Sequence, residues 1–191
     1  MAEGVVGLVL AAGAGRRFGA PKALARTPEG LSWLRRAVAT LRDGGCGEVV
    51  VVLGAGAGEA LDLVPPEARV VVATRWQAGQ SASLEAGLDA VAASSAEAAV
   101  VTLVDLPGLR PEAVRRVADG AVAHSLRRAT YDGVPGHPVL LGRDHWPALR
   151  MALRGDEGAR DYLLGHGAAE VDCTDLGGGD DVDVPLGCGA K

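Results

Sequence analysis

The sequence predicts an α/β protein with a Rossmann-like, three-layer α/β/α architecture and a mainly parallel sheet. Short, continuous apolar runs, typical of strands buried on both faces, alternate with segments in which apolar residues recur at helical spacing. Glycine-rich turns directly follow two of these runs. The length of 191 residues fits one domain, so we expect a single domain over 1–191.

The first half of the chain carries the most regular pattern. The strands predicted there are Val5–Ala11, Glu48–Leu53, Val70–Ala73 and Ala98–Val104. Helices are predicted over Ser32–Arg42 and Ser83–Ala93, and Pro111 suits the first turn of a further helix. Because strands that alternate with helices form right-handed βαβ units, these four strands should be parallel.

The second half predicts a small antiparallel addition to the sheet. Short strands over Arg128–Tyr131 and Pro138–Leu141 flank a Gly/Pro turn. Helices are expected over Asp144–Leu153 and Ala159–Leu164, and the Gly- and Asp-rich tail from Asp175 should be irregular.

Composition excludes several classes of function. Apolar residues make up 48% of the chain and charged residues 23%, and the net charge of −5 comes without a basic stripe, which argues against a nucleic-acid partner. The cysteines at positions 46, 173 and 188 form no CxxC pair and are read as free thiols in a reducing cytosol. No stretch approaches the ~20 apolar residues of a membrane span. We therefore expect a cytoplasmic protein with no membrane partner.

The segment from Leu10 to Lys22, LAAGAGRRFGAPK, has the composition of a phosphate-binding loop. It follows a predicted buried strand, and glycines such as Gly13 and Gly15 let a phosphate chain approach main-chain N–H groups. Two arginines, including Arg17, and the lysine add three positive charges within seven residues. A polyanion is the natural partner of this combination, the alternative being a glycine turn with incidental surface arginines.

Two familiar phosphate loops do not fit this segment. The string G-x-x-x-x-G-K-[ST] is absent, and Phe18 occupies the third glycine position of the dinucleotide fingerprint G-x-G-x-x-G. A second glycine-rich stretch, Gly54–Gly58, carries no basic residue. We interpret that stretch as a tight turn between a strand and a helix.

Aspartates occur at two positions suited to a divalent cation. Asp105 directly follows the fourth predicted strand and precedes Pro107, where it could hold Mg²⁺ against triphosphate oxygens or simply cap the next helix. The acidic segment Asp180–Pro185 is solvated charge unless the tail folds back. In that case Asp183 reaches the same ion.

Two further segments carry polar side chains suited to ligand binding. The loop Trp76–Leu84 contains Gly79, Gln80, Ser81 and Ser83, which suit a nucleotide base and ribose, although a serine-rich helix cap explains the serines equally well. His137 lies in a Gly-His-Pro turn expected to border the cleft, where it would contact an acceptor or have a structural role.

These strings together resemble a known family. LAAGAGRRFGAPKAL is similar to the signature loop of the Rossmann-like nucleotidyltransferases. WQAGQSASLEAGL, VTLVDLP, GVPGHPVLLGR, GDEGARDYL and DVDVP resemble, in order and spacing, segments of the molybdenum cofactor cytidylyltransferase-like group. The tail departs from that group, because it lacks the usual Thr and trailing acids after Asp183. An acceptor other than the molybdenum cofactor therefore stays open.

The resemblance implies a role for each matching position. Nucleotide binding is implied for Leu10, Ala11, Ala12, Gly13, Gly15, Arg17, Lys22, Gly79, Gln80, Ser81 and Ser83. A catalytic role is implied for Arg17, Lys22 and Asp105, Mg²⁺ binding for Asp105 and Asp183, and acceptor binding for His137 and Asp156.

The reaction implied is transfer of a nucleoside monophosphate, with CMP from CTP as the leading expectation, to a phosphorylated acceptor with release of pyrophosphate. The expected acceptor is molybdopterin or the molybdenum cofactor, and a molybdoenzyme or its chaperone is a further partner. Three alternatives remain: a guanylyl- or other transferase with a different phosphorylated acceptor, a non-catalytic nucleotide- or pterin-binding chaperone, and an NAD(P)-dependent oxidoreductase. The absence of the dinucleotide fingerprint argues against the oxidoreductase.

Overall fold

The computed structural model describes residues 4–183, which form one seven-stranded mixed sheet flanked by helices. The strands are β1 (Val5–Ala11), β2 (Glu48–Leu53), β3 (Arg69–Val72), β4 (Ala98–Leu103), β5 (Leu126–Tyr131), β6 (Val134–Gly142) and β7 (Ala169–Asp172). The helices are α1 (Trp33–Asp43), α2 (Ala57–Ala60), α3 (Gln80–Ala92), α4 (Pro111–Ala118), α5 (Trp146–Ala152) and α6 (Arg160–Gly165). Short 3₁₀ turns occupy Lys22–Leu24, Leu61–Leu63, Trp76–Ala78 and Arg143–His145.

The sheet confirms the predicted topology, with strand order β3-β2-β1-β4-β6-β5-β7. Strands β1 to β4 are mutually parallel, and β6 runs antiparallel to both β4 and β5. The order reverses on the two sides of β1, with β2 on one side and β4 on the other. Ligands of such sheets bind beyond the carboxyl ends of the strands at this reversal point.

Aliphatic side chains fill the space on both faces of the sheet. All seven residues of β1 are buried, so alternate side chains pack in opposite directions. Val9 packs with Leu34 and Leu41 of α1 on one face, and Leu8 packs with Leu88 of α3 on the other. Two apolar layers therefore hold β1 and β4 in place, and the loops that follow these strands start from fixed positions.

Most predicted element boundaries are confirmed to within one or two residues, with four differences. Strand β6 begins at Val134, four residues before the predicted Pro138. Helix α3 begins at Gln80 rather than at Ser83, because Gly79, at φ 107°, changes the chain direction just before it. The helix predicted from Asp144 is a 3₁₀ turn followed by α5. Strand β7 was not predicted, because its exposed, acidic sequence AEVD lacks the pattern of a buried strand.

Among the helices of residues 4–183, none combines the length and apolar character needed to cross a membrane. The two cysteines of this range, Cys46 and Cys173, are buried free thiols, as the sequence predicts, whereas Cys188 lies outside the described residues.

Candidate active site

The loop after β1 makes a tight turn that only glycine suits at one position. Gly15 has φ 60°, and its carbonyl accepts a hydrogen bond of 2.8 Å from the amide of Gly19. A Cβ at Gly15 would lie 1.9 Å from the Ala20 carbonyl oxygen, too close for any side chain. The ring of Phe18 packs against that of Trp33 with centroids 5.4 Å apart, which anchors the loop to α1.

Replacing Gly15 by alanine should therefore lower the free energy of unfolding by roughly 1–3 kcal/mol, because both the positive φ and the backbone contact become strained. Gly13 provides a matched control in the same loop, since a Cβ there would meet nothing within 4 Å. Urea unfolding of both variants tests this expectation. Equal destabilisation by Gly15→Ala and Gly13→Ala would contradict it.

Lys22 connects this loop to two aspartates. Its Nζ donates to Asp105 Oδ2 and to Asp183 Oδ1, at 2.8 Å each. Only 15% of the Lys22 side chain and 16% of the Asp105 side chain are exposed, so solvent screens this pair weakly. The guanidinium of Arg17 donates to the other oxygen of Asp183 at 2.9 Å, from a side chain that is largely in solvent.

The tail reaches this position through backbone contacts with the loop that follows β4. The amide of Val182 donates to the carbonyl oxygen of Asp105 at 2.9 Å. Asp181 and Asp183, one residue to either side of Val182, offer carboxylate oxygens that lie within 4.8 Å of one another and of an Asp105 oxygen. The tail thus supplies two carboxylates to the end of β4.

Charge interactions within the cluster stabilise its ionised form. Burial alone would lower the pKa of Lys22, and it is the largest single influence. The hydrogen bonds and negative charges of Asp105 and Asp183 together outweigh it, so the pKa of Lys22 lies above its usual value. The hydrogen bond and positive charge of Lys22 lower the pKa of Asp183. Lys22 and Asp183 are therefore both charged at neutral pH.

The donor set fits a hard divalent cation. Carboxylate oxygens are the ligands that Mg²⁺ and Mn²⁺ prefer. The second oxygen of Asp105, Oδ1, is buried and lacks a hydrogen-bond partner among residues 4–183, which is costly for a carboxylate unless another ligand satisfies it. Asp105, Asp181 and Asp183 thus form the group in which a cation could be held.

A cavity of about 460 Å³ lies between the loop and the carboxylates. The predicted site residues that line it are Leu10, Ala11, Ala12, Gly13, Gly15, Arg17, Lys22, Gly79, Gln80, Ser83, Asp105, Asp156 and Asp183. A second cavity of about 460 Å³ shares Leu10, Gln80 and Leu103 with the first and contains His137 in its lining. The carboxyl ends of β1 and β4 thus meet two adjoining cavities.

Two predicted residues occupy positions other than those expected. The Ser81 side chain is buried, and its hydroxyl donates to the Arg154 carbonyl oxygen at 2.9 Å, away from the cavity lining. Asp156, expected on the acceptor side, lies beside Gly79 in the cavity of the glycine loop, because the chain around Gly155 folds against the start of α3.

The structure also adds residues that the sequence did not single out. Asp181 joins the carboxylate cluster, and its spacing of two residues from Asp183 was the available signal, because i and i+2 face the same side of an extended chain. Trp76 lines the cavity of the glycine loop as well, and so does Arg16, the other arginine of the predicted polyanion-binding segment.

The fold and this cluster of loop, lysine and carboxylates define the class as a nucleotidyltransferase. The MobA-like NTP transferase domain family matches residues 7–171, and the chain therefore belongs to that family. The match covers most of the sheet and the whole lining of the second cavity, whereas Asp181 and Asp183 of the carboxylate cluster lie beyond its end.

Similar proteins include one curated relative and two solved structures of one mycobacterial protein. The "Nicotine blue oxidoreductase" of Paenarthrobacter nicotinovorans is 37% identical, over 94% of this chain and 92% of that protein. Rv0371c of Mycobacterium tuberculosis H37Rv is 29% identical, with a TM-score of 0.76 over 96% of this chain and 95% of that chain. Its manganese complex is 27% identical, with a TM-score of 0.71 over 97% of this chain and 93% of that chain.

Proposed function

We propose that the protein transfers a nucleoside monophosphate, CMP from CTP, to a phosphorylated acceptor of the molybdopterin class and releases pyrophosphate. The observation that carries this proposal is the position of the Lys22 amine, which bridges Asp105 and Asp183 directly beside a glycine-rich loop. A polyanion with a bound cation matches both the lysine and the aspartates, because the phosphates pair with the lysine and the cation pairs with the carboxylates.

In this proposal the glycine loop binds the triphosphate. Main-chain N–H groups near Gly13 and Gly15 face the phosphate oxygens, and Arg17 and Lys22 neutralise the pyrophosphate as it departs. An oxygen of the acceptor phosphate attacks the α-phosphorus, a new P–O bond forms, and the bond between the α-phosphorus and the bridging oxygen breaks. The acceptor phosphate is ionised at neutral pH, so positioning and charge neutralisation carry the reaction.

Asp105, Asp181 and Asp183 would hold the divalent cation, proposed to be Mg²⁺. Such an ion would supply positive charge that stabilises the negative charge developing on the α-phosphoryl group. Lys22 neutralises Asp105 and Asp183, and with a divalent cation bound there its amine would be available to the phosphates.

The proposed base and ribose contacts come from β1 and the start of α3. Leu10, Ala11 and Ala12 present main chain to the base at the carboxyl end of β1, and Gln80 and Ser83 offer side-chain donors and acceptors in the same cavity. Ser81 is proposed to support this wall indirectly, through its hydrogen bond to the chain at Arg154.

Pyrophosphate release with CTP, GTP, ATP and UTP, each with Mg²⁺ or Mn²⁺ and molybdopterin, tests the proposal. We expect release with CTP above the other three, because the resemblance is to cytidylyl-transferring relatives. A preference for another nucleotide would change the proposed base but leave the proposed reaction in place. Binding of nucleotide without release would indicate a non-catalytic carrier, and the transfer proposal would then be wrong.

The name of one relative supports a second candidate, an oxidoreductase. The 37% identical protein is called nicotine blue oxidoreductase, so a nicotinamide-dependent reduction is the competing reaction for this chain. Phe18 at the third glycine position of the dinucleotide fingerprint opposes it. Oxidation of NADH or NADPH in the presence of nicotine blue, followed by the loss of nicotinamide absorbance, discriminates between the two reactions.

A further inference from the structure

The second cavity, which adjoins the cavity of the glycine loop, has walls of a different chemical character. It lies on the face of the sheet that α3 and α6 cover, and Leu10 and Leu103 form part of the boundary between the two cavities. A molecule in this second cavity would therefore point one end at the triphosphate-binding loop. Its volume of about 460 Å³ lies within the range typical of small-molecule sites.

Aliphatic side chains form most of the wall of the second cavity. Val101 of β4, Val139 of β6 and Leu163 of α6 are buried residues that line it. At its edge, Val134 and Leu164 remain 64% and 56% exposed, although both are apolar. Exposed aliphatic residues that border an apolar cavity favour an occupant with an apolar body, because binding removes their surface from water.

His137 provides a hydrogen-bond acceptor within these walls. Its Nδ1 lies 3.2 Å from the carbonyl oxygen of Val101, and because a carbonyl only accepts, Nδ1 carries the proton. Burial lowers the pKa of His137 and keeps the ring neutral, with the Val101 hydrogen bond and the charge of Asp105 acting in the opposite direction. The other nitrogen, Nε2, is thus a free acceptor among the described residues.

Arg128 also lines the second cavity. It pairs with Val139 across the β5–β6 ladder, whose register shifts between Arg128 and Thr130. The Nε of Arg128 is buried and lacks a partner among residues 4–183, whereas its terminal nitrogen donates to Glu170 at 2.6 Å. The charge of Arg128 is thereby balanced, so Arg128 does not require an anionic group on the occupant of the cavity.

We propose that this second cavity recognises the ring body of the acceptor through the faces of the ring and through one O–H or N–H donor at its edge. That donor donates to His137 Nε2, while the faces of the ring pack against the aliphatic wall. The inference rests on the proposed function in one respect, which is that the occupant is the acceptor. A sugar body would leave the hydroxyl groups that face Leu, Val and Pro unpaired, at considerable cost, because the polar residues Gln80, Glu157 and Arg160 form only part of the wall.

Binding of three small probes that lack phosphate tests this directly. Ligand-observed NMR would compare naphthol, naphthalene and glucose with the full chain. We expect naphthol to bind about tenfold more tightly than naphthalene, since one buried hydrogen-bonded group contributes about that factor, and glucose to show no binding. Equal binding of glucose and naphthol, or no binding of naphthol, would overturn the proposal.

Variants separate the two parts of the inference. His137→Phe keeps an aromatic ring but removes the acceptor, so naphthol should lose its tenfold advantage while naphthalene binding stays the same. Ala159→Phe fills the cavity and Leu164→Lys places a charge at its edge, so either variant should abolish naphthol binding. Naphthol binding that survives both substitutions would place the probe elsewhere and refute the assignment.

Nucleotide measurements on the same variants distinguish this inference from the proposed function. Ala159 and Leu164 do not line the cavity of the glycine loop, so the thermal shift given by CTP with Mn²⁺ should be unchanged in both variants. Naphthol binding as expected without pyrophosphate release from any nucleotide would retain the inference about the cavity and refute the transfer reaction. Pyrophosphate release without naphthol binding would retain the transfer reaction and refute the inference about the cavity.

Discussion

Replacing Lys22 by methionine is expected to lower pyrophosphate release by at least ~10²-fold, the loss typical of a removed electrostatic stabiliser. Methionine keeps the aliphatic stem within the partly buried site but has no ammonium group. Of the two residues predicted to neutralise the departing pyrophosphate, only Arg17 would then remain. Its side chain is 84% exposed, so water screens its charge well. Steady-state turnover at saturating CTP and Mg²⁺ measures the effect.

A matched control separates this effect from a general loss of positive charge. Arg35 is exposed on α1 and does not line the cavity of the glycine loop, so Arg35→Met should keep wild-type turnover. Circular dichroism should show the same secondary structure in both variants. Activity of Lys22→Met close to that of Arg35→Met would remove Lys22 from the mechanism.

The arrangement of the sheet could be predicted because its central strands are apolar along almost their whole length. Runs such as Val5–Ala11 and Ala98–Leu103 can be satisfied only by burial on both faces, and helices between them enforce parallel crossovers. Strand β7 could not be predicted, for the opposite reason. At the edge of the sheet, pairing with β5 stabilises a segment whose side chains stay mostly exposed, so the amino-acid pattern carries no signal.

The candidate site could be predicted in part, because two of its components follow directly from strand ends. Lys22 and Asp105 come soon after β1 and β4, and neighbouring parallel strands bring their carboxyl ends to one edge. The contribution of the tail could be predicted only on the condition that the tail folds back towards the end of β4. Its position depends on the hydrogen bond from Val182 to Asp105, a contact between residues far apart in the chain that no local pattern encodes.

Contacts between distant segments also explain the positions of Ser81 and Asp156 in the structure. Ser81 has the residue type of a helix cap or a ribose ligand, yet its hydroxyl satisfies a carbonyl at Arg154. The same packing of residues 154–156 against the start of α3 moves Asp156 to the cavity of the glycine loop. Both differences have one cause, which is the close approach of Gly79 and Gly155.

Replacing Asp105 by asparagine should abolish most divalent-cation binding and lower turnover by at least ~10²-fold. Asparagine preserves the shape of the side chain, but its amide is uncharged and one of its two polar atoms is a donor. The buried oxygen that lacks a partner in the wild type is then no longer a strong metal ligand. Titration with Mn²⁺, followed by the cation-induced rise in Tm, measures binding independently of turnover.

Two aspartate variants make this prediction specific. Asp62 is exposed and remote from the cluster, so Asp62→Asn should bind Mn²⁺ as the wild type does. Asp183→Asn should have a smaller effect than Asp105→Asn, because 39% of the Asp183 side chain is exposed against 16% for Asp105, and water can replace an exposed ligand more readily. A larger effect of Asp183→Asn than of Asp105→Asn would mean that the main cation ligand lies in the tail rather than at the end of β4. Wild-type Mn²⁺ binding by Asp105→Asn would exclude the buried carboxylate as a ligand and leave its unpaired oxygen unexplained.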